Sequence, residues 1–373
     1  MSTLENLIAG AVGKAGGVIS LADFMELALY APGLGYYERR ERAPGRQGDY
    51  YTSVSVGNLF GRLLAARFAG WLASLPPTTP PRLVEAGAHD GRLAADLLAA
   101  WPETGPECPR TVEYWIVEPS PRRQQWQRDR LAGFADKVRW AGSLDDLPGD
   151  LAGVIFSNEL LDAFPAHRLV WEARRRDWDE WGVGREKGAF VWRRLGPAGD
   201  LRRLLPELPG ELLEILPDGF AVDVCPAALA WWRQAASRLR QGWLLTFDYG
   251  LEELEFLAPA RSAGTLRAYH RHQLQKNPLA RPGLQDLTSH VNFTALRKAG
   301  EEAGLETVDF CSQEEFLVKL VRESGWPSAA GRENSRWTRQ WQTLTHPAHL
   351  GARFQALAQR RRRSWGKNSS ATM

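Results

Sequence analysis

The sequence predicts an α/β protein: a mostly parallel sheet with helices on both faces. Three observations predict it. Beyond the stiff run Pro76-Pro77-Thr78-Thr79-Pro80-Pro81, strand-like runs alternate with helix-length segments. The run Val154-Ile155-Phe156 is apolar throughout, as a strand covered on both faces requires. The first strand of the series turns through Gly87 and Gly91 directly into a helix.

Before the proline run lies a mostly helical arm. Ser20 is the expected N-cap of a helix carrying Phe24, Met25, Leu27, Ala28 and Leu29, which Pro32 and Gly33 end. A second helix is expected over 56–72, with Leu59, Phe60, Leu63, Leu64, Phe68 and Trp71 on its apolar side. Between them, 45–53 is a loop containing Gly and Tyr. The alternation then begins: strand 82–85, helix 93–100, strand 112–117, and helix 121–131 with Pro121 at the favoured first position. Strands follow at 138–140 and 151–156, then helix 227–239 and strand 243–247. Residues 168–195 alternate aromatic and charged side chains around Gly182, Gly184 and Gly188. This predicts an antiparallel hairpin inserted after the fourth strand. Strands at 266–270 and 306–311, joined by a helix over 293–303, are expected to close the sheet edge. The chain thus divides into a helical extension (1–81), a core with its hairpin at about 168–195 (82–315), and a C-terminal helical segment with a basic tail (316–373).

Composition excludes several classes. With 44% hydrophobic residues and a net charge of +3, the chain is not generally disordered. No stretch approaches ~18 uninterrupted apolar residues, so no membrane span is expected. The first residues, with Glu5 and Lys14, lack the layout of a secretory signal and the Arg-richness of a transit peptide, and a cytoplasmic protein is expected. Cys108, Cys225 and Cys311 form neither a disulfide framework nor a metal-spaced cluster, and no metal is expected. The run Arg360 to Arg363 reads as the solvated end of a C-terminal helix, not as a nucleic-acid arm. Nucleic acid is not expected as a partner, and the oligomeric state is open.

The most informative motif is Leu83-Val84-Glu85-Ala86-Gly87-Ala88-His89-Asp90-Gly91. It lacks the Gly-Lys-Ser/Thr of a P-loop and the G-x-G-x-x-G of a dinucleotide site. A strand turning through glycines into a helix brings backbone N–H groups close to a ligand. Taken alone, it also fits a plain helix start with a tight turn. Glu85 discriminates: pyrophosphate disfavours an acid there, whereas the sulfonium and amino group of S-adenosyl-L-methionine favour one. The next strand ends in Glu118, where an acid can bind both ribose hydroxyls. Adenine contacts would fall near Ser143, Leu144 and Asp145. The candidate cofactor residues are therefore Glu85, Gly87, Ala88, Gly91, Glu118, Ser120, Ser143 and Asp145.

These residues, with further blocks along the chain, resemble the MidA-like S-adenosylmethionine-dependent methyltransferases, the family that includes the mitochondrial complex I assembly arginine methyltransferase. The resemblance rests on Leu29-Tyr30-x-Pro32-x-x-Gly35-Tyr36-Tyr37, Gly48-Asp49-Tyr50-x-Thr52-Ser53, Val117-Glu118-x-Ser120-Pro121, Ser157-Asn158-Glu159-Leu160-Leu161-Asp162-Ala163-Phe164-Pro165, Phe247-Asp248-Tyr249-Gly250 and Asp286-Leu287-Thr288-Ser289-His290-Val291-Asn292-Phe293. It implies a Rossmann-like class I methyltransferase sheet, with the N-terminal extension and the hairpin shaping the substrate cleft. It also implies that the loop holding Asp49, Tyr51 and Thr52 covers the cofactor, which adds Thr52 to the cofactor residues. The implied acceptor is an arginine of a partner protein, with a respiratory-complex subunit as one candidate. The chain departs from the family pattern in His89, which replaces a glycine of the turn, in Val54-Ser55, and in Asn292, where an acid is common.

Methyl transfer from a sulfonium is an in-line displacement that needs the nucleophile held about 3 to 3.5 Å from the methyl carbon. A guanidinium stays charged, so carboxylates must orient it. Asn158 and Glu159, just beyond the fourth strand, are expected to position the substrate, with Asp162 assisting. The alternative for both acids is that they merely favour a helix N-terminus, a reading that suits Asp162 better than Glu159. His290 is the remaining catalytic candidate, as an orienting group or proton acceptor; a structural histidine bonded to Asp286 or Thr288 fits as well. Asp248 reads as structural. Two other functions stay open: a non-catalytic assembly factor that keeps the cofactor, which His89 favours, and a nicotinamide-dependent oxidoreductase, which Glu85 disfavours.

Overall fold

Ser20 starts the first tightly specified segment. Its Oγ accepts the Asp23 N–H at 3.0 Å, and the Asp23 carboxylate accepts the Ser20 N–H at 3.3 Å, a reciprocal cap on the following helix. The structure is a computed structural model and describes residues 3–39, 52–76, 81–104, 112–206, 210–271, 273–324 and 335–362. The expectations for Asp49, Tyr51, Cys108 and Arg363 lie outside the described residues.

The chain runs through α1 (Thr3–Lys14), β1 (Val18–Ser20), α2 (Leu21–Tyr30), α3 (Leu59–Ala73), β2 (Arg82–Ala86), α4 (Arg92–Ala100), β3 (Glu113–Val117), α5 (Pro121–Arg130), β4 (Val138–Ala141) and β5 (Leu151–Asn158). It continues with β6 (His167–Glu172), β7 (Asp177–Glu186), β8 (Ala189–Pro197), α6 (Gly210–Ile215), β9 (Ala221–Val224), α7 (Pro226–Arg238) and β10 (Leu239–Leu251). Last come β11 (Arg267–His270), β12 (Gln273–Leu274), β13 (Asp286–Thr288), β14 (Val291–Asn292), α8 (Phe293–Glu302), β15 (Glu306–Ser312), α9 (Gln313–Ser324), α10 (Ser335–Thr345) and β16 (Phe354–Arg361).

The main sheet has the order β15-β16-β10-β5-β2-β3-β4, with β14 beside β10. The strands β10, β5, β2, β3 and β4 are parallel, and β16 is antiparallel to both its neighbours. Side chains alternate between faces along each strand. Leu83, Phe156, Leu245 and Phe247 pack on one face against α3, α4 and α9, where Phe68 meets Phe156 at 4.8 Å and Phe60 meets Phe247 at 5.2 Å. Val84, Ile155 and Leu244 pack on the other against Trp232 and Ala235 of α7 and Leu296 of α8. No helix among the described residues is long and apolar enough to cross a membrane.

Three expectations about elements are corrected. The hairpin over 168–195 is a meander of β6, β7 and β8 within a five-stranded sheet that also takes in β9 and β1. Gly182, read as a turn residue, pairs with Ser20 across β7 and β1, and a Cβ there would sit 2.0 Å from the Ile19 carbonyl oxygen. Strand 266–270 does not close the main sheet; β11 pairs with β12 and β13 in a separate three-stranded sheet. The C-terminal segment is not wholly helical, because β16 inserts between β10 and β15. Arg360 and Arg361 therefore lie on a strand, not at a frayed helix end. Arg361 donates to the Ala303 and Ala236 carbonyls at 2.6 and 3.1 Å, and Arg360 lies over the Trp243 ring.

Candidate functional site

The strand order reverses between β3 and β5, the two neighbours of β2, and a crevice opens there at the carboxyl ends of the strands. It holds a cavity of about 940 Å³. This is at the upper end of the ~300–1,000 Å³ usual for ligand sites, which suits a cofactor together with a substrate side chain.

Strands β2 and β3 build one end. Glu85 is buried at the end of β2, and its Oε2 accepts the Tyr114 hydroxyl at 2.6 Å. Burial pushes its carboxyl up to about 7, a rise that the Tyr114 bond moderates. Gly87 follows at φ +75°, and a Cβ there would meet Leu160 Cδ1 at 2.7 Å, so only glycine fits the turn. Ala88 and His89 also line the cavity; His89 adopts φ 47° and gives its carbonyl to Gln127 Nε2 at 3.0 Å. Glu118 ends β3. Its Oε1 accepts from Ser120 N at 2.9 Å and from Arg123 Nε and Nη2 at 2.9 and 2.8 Å; its Oε2 accepts from Gln127 Nε2 at 3.2 Å. Ser120 also caps α5, accepting the Arg123 N–H at 3.3 Å. Ser143 and Leu144 line the cavity beyond β4.

The turn after β5 builds the other end. Glu159 sits at φ 53°, which aims its side chain into the cavity. Its Oε1 accepts from Asn158 Nδ2 at 3.0 Å and from Ser53 N at 3.2 Å. No basic side chain among the described residues pairs with it. Burial pushes its carboxyl up to about 8; the Asn158 bond lowers it and the nearby Asp248 raises it. Asn158 Oδ1 is buried without a hydrogen-bond partner among the described residues. Thr52 lines the cavity from a turn in which Thr52 and Ser55 exchange backbone-to-hydroxyl bonds at 2.9 and 3.0 Å.

Four expected site residues stand elsewhere. Asp162 is buried behind the cavity against Asp248 and Asp286; burial, then those two neighbours, hold its carboxyl well above the usual range. Gly91 opens α4 at φ +81°, with Gln127 and Leu131 packed close to its Cα, and so sets the helix start without lining the cavity. Asp145 points outward and pairs with Arg238 of α7. His290 lines a separate pocket of about 30 Å³ with Asp223 and Cys225; burial, helped by Arg267 and Arg261, pushes its ring down to about 4. Its Nδ1 is buried without a hydrogen-bond partner among the described residues.

Other lining residues escaped the sequence analysis. From the N-terminal arm come Glu26, Tyr30, Tyr37 and Glu38. Tyr30 donates to the Ala163 carbonyl at 2.9 Å, Tyr37 donates to Asp286 at 2.6 Å, and the two rings stack at 5.5 Å. The only signal for Tyr30 and Tyr37 was the density of tyrosine in a block already quoted. Phe164 and Trp231 form an opposite apolar wall. Trp231 was hidden by its neighbour Trp232, which is a core residue on the other side of α7.

The donor set suits S-adenosyl-L-methionine. Carboxylates stand at two strand ends, the glycine turn lets the backbone approach a ligand, and Asn158 offers an unengaged acceptor to a cation. A parallel sheet with one antiparallel strand inserted before its last, and a cavity over the switch point, define a class I methyltransferase.

The chain belongs to the S-adenosyl-L-methionine-dependent methyltransferase family whose profile matches residues 63–311. It is 27% identical to the mitochondrial protein arginine methyltransferase NDUFAF7 homolog of Drosophila melanogaster, over 92% of this chain and 81% of that protein. It is 26% identical to human NDUFAF7, over 92% and 80%. A Burkholderia thailandensis methyl transferase solved with S-adenosyl-homocysteine bound superposes with a TM-score of 0.82 and 32% identity, covering 96% of this chain and 92% of that one. The protein is thus an S-adenosyl-L-methionine-dependent methyltransferase, and the oxidoreductase alternative falls away. The cytoplasmic location is corrected: the relatives are mitochondrial by name, and that expectation rested only on the absence of a targeting segment.

Proposed function

We propose that this methyltransferase modifies an arginine side chain of a partner protein, with Asn158 and Glu159 gripping the guanidinium. One observation carries the reading: Glu159 is a half-buried carboxylate lining the cavity, with no basic side chain paired to it among the described residues. A guanidinium supplies that missing charge, and its planar fork matches a carboxylate and an amide oxygen. Asn158 Oδ1 and Glu159 Oε2 are the acceptors left for it, since Glu159 Oε1 is engaged. Tyr30, Tyr37, Phe164 and Trp231 offer aromatic faces to a cation and its aliphatic stem. The names of the relatives support the same acceptor.

S-adenosyl-L-methionine supplies an electrophilic methyl group. Glu85, Glu118 and the turn at Gly87, with Ala88, Thr52, Ser120 and Ser143 around them, are the proposed holders of the cofactor. The carboxylate of Glu159 orients one guanidinium nitrogen and draws the positive charge toward the nitrogen it faces. With the cofactor bound, the new N–C bond would form as its sulfonium–methyl C–S bond breaks, S-adenosyl-homocysteine would leave as the neutral thioether, and the attacking nitrogen would shed a proton. Glu159 in its ionised form accepts that proton and returns it to solvent. The test is incubation with methyl-labelled S-adenosyl-L-methionine and native cell extract, followed by mass spectrometry of labelled protein. Label on arginine is expected, and a respiratory-complex subunit, implied by the family resemblance, is the first partner to examine. Label on lysine, on nucleic acid or on nothing overturns the proposal.

A further inference from the structure

Glu159 owes its place to a turn that would not hold itself. A residue with a side chain at φ 53° is strained, and such a conformation persists only where the surroundings enforce it. The enforcing group is on the neighbouring strand. Asp248 of β10 is fully buried, and its Oδ2 accepts the N–H groups of Leu160 at 3.2 Å and Leu161 at 2.8 Å. Its Oδ1 accepts the Tyr249 N–H at 2.8 Å, which fixes the carboxylate plane. One residue earlier, the Phe247 carbonyl accepts the Glu159 N–H at 2.9 Å. Strand β10 therefore grips the backbone on both sides of the Glu159 side chain.

We propose that Asp248 is the positioning residue of the acceptor site: it clamps the turn at Leu160 and Leu161 so that the Glu159 carboxylate enters the cavity beside Asn158. The role rests on the reading of Glu159 as the guanidinium-binding acid. An aspartate is suited to it because one oxygen serves two converging N–H donors while the other serves a third. Asparagine at 248 would turn its amide nitrogen toward one of those donors and loosen the turn.

The test compares E159Q, D248N and the double variant in transfer of methyl label from S-adenosyl-L-methionine to whole cell-extract protein, with cofactor KM measured in each. E159Q should lose on the order of 100-fold in turnover. D248N should lose on the order of 10-fold or more, as expected of a displaced group. Its KM for the cofactor should stay within about threefold of wild type, a split that general loosening of the fold would not give. The double variant should be no slower than E159Q, because Asp248 acts through Glu159. A double variant slowed by the product of both effects overturns the proposal. Loss in E159Q with full activity in D248N overturns the positioning role alone. Full activity in E159Q overturns the Glu159 reading and this role with it. Should D248N fail to fold, amide exchange in the wild-type protein decides: Leu160 and Leu161 should exchange as slowly as core strand amides, and exchange at the rate of an open loop overturns the clamp.

Discussion

The two ends of the cavity hold buried acids in opposite states. At one end Glu118 accepts two bonds from Arg123 and one each from Ser120 and Gln127. At the other, Glu159 meets the Asn158 amide and the Ser53 backbone and, among the described residues, no basic side chain, and burial pushes its carboxyl up to about 8. An acid whose charge is already balanced is a fixed acceptor, suited to neutral hydroxyls. A buried acid without a counter-charge gains most when a cation arrives. The contrast supports the proposed division, with the Glu118 end for the cofactor and the Glu159 end for the methyl acceptor.

The sharpest way to break this contrast is Glu159→Gln. Turnover should fall on the order of 100-fold while cofactor affinity by calorimetry stays within about threefold. An equal fall in affinity would mean that the two ends are one site. Next in size is Gly87→Ala. At φ +75°, with Leu160 Cδ1 2.7 Å from the new Cβ, it should weaken cofactor binding on the order of tenfold, from the ~1–3 kcal/mol of an enforced backbone conformation. It should also slow transfer, since Leu160 belongs to the acceptor turn. A protein that binds and transfers normally would dissociate the two ends.

The pH profile sharpens the contrast further. Glu159 rises from an ordinary 4.5 to about 8 in the ligand-free protein, so its ionised fraction, and with it kcat/KM, should fall roughly tenfold per unit below that pH. Stability has the opposite sign. The folded chain holds this proton more tightly than the unfolded chain, so its contribution is most favourable below 4.5 and is lost as pH rises toward 8. A melting series of the ligand-free protein should therefore show Tm falling across that window from this group. A Tm insensitive to Glu159→Gln would sink that assignment. The smallest effect expected is at Asp145→Ala. Its ion pair with Arg238 is exposed, so cofactor affinity should change by less than about twofold.

Much of the cofactor end was legible because its signals are local. Strand, acid, glycine turn and helix follow one another within 82–92, and Val117-Glu118 with Ser120-Pro121 repeats the logic on the next strand. Asn158 and Glu159 drew notice for the same reason, as polar residues just beyond an apolar run. Asp145 misled because position near a strand end does not say which way a side chain points; the short turn at 144–146 carries it outward toward α7. His290 misled because a histidine beside polar residues looks the same in sequence whether it faces a cavity or a core.

What the sequence by itself determined was the alternation of strands and helices, their caps, and the acids at the strand ends, since these follow from spacings of two to four residues. Tertiary structure alone decided where β16 enters the sheet, which partner β1 takes on β7, and that Tyr37 reaches Asp286, 249 residues away. It also decided that Asp248 closes on the turn behind Glu159. The physical reason is that buried backbone and side-chain polar groups must find partners. Nothing in a local pattern records which distant segment supplies them.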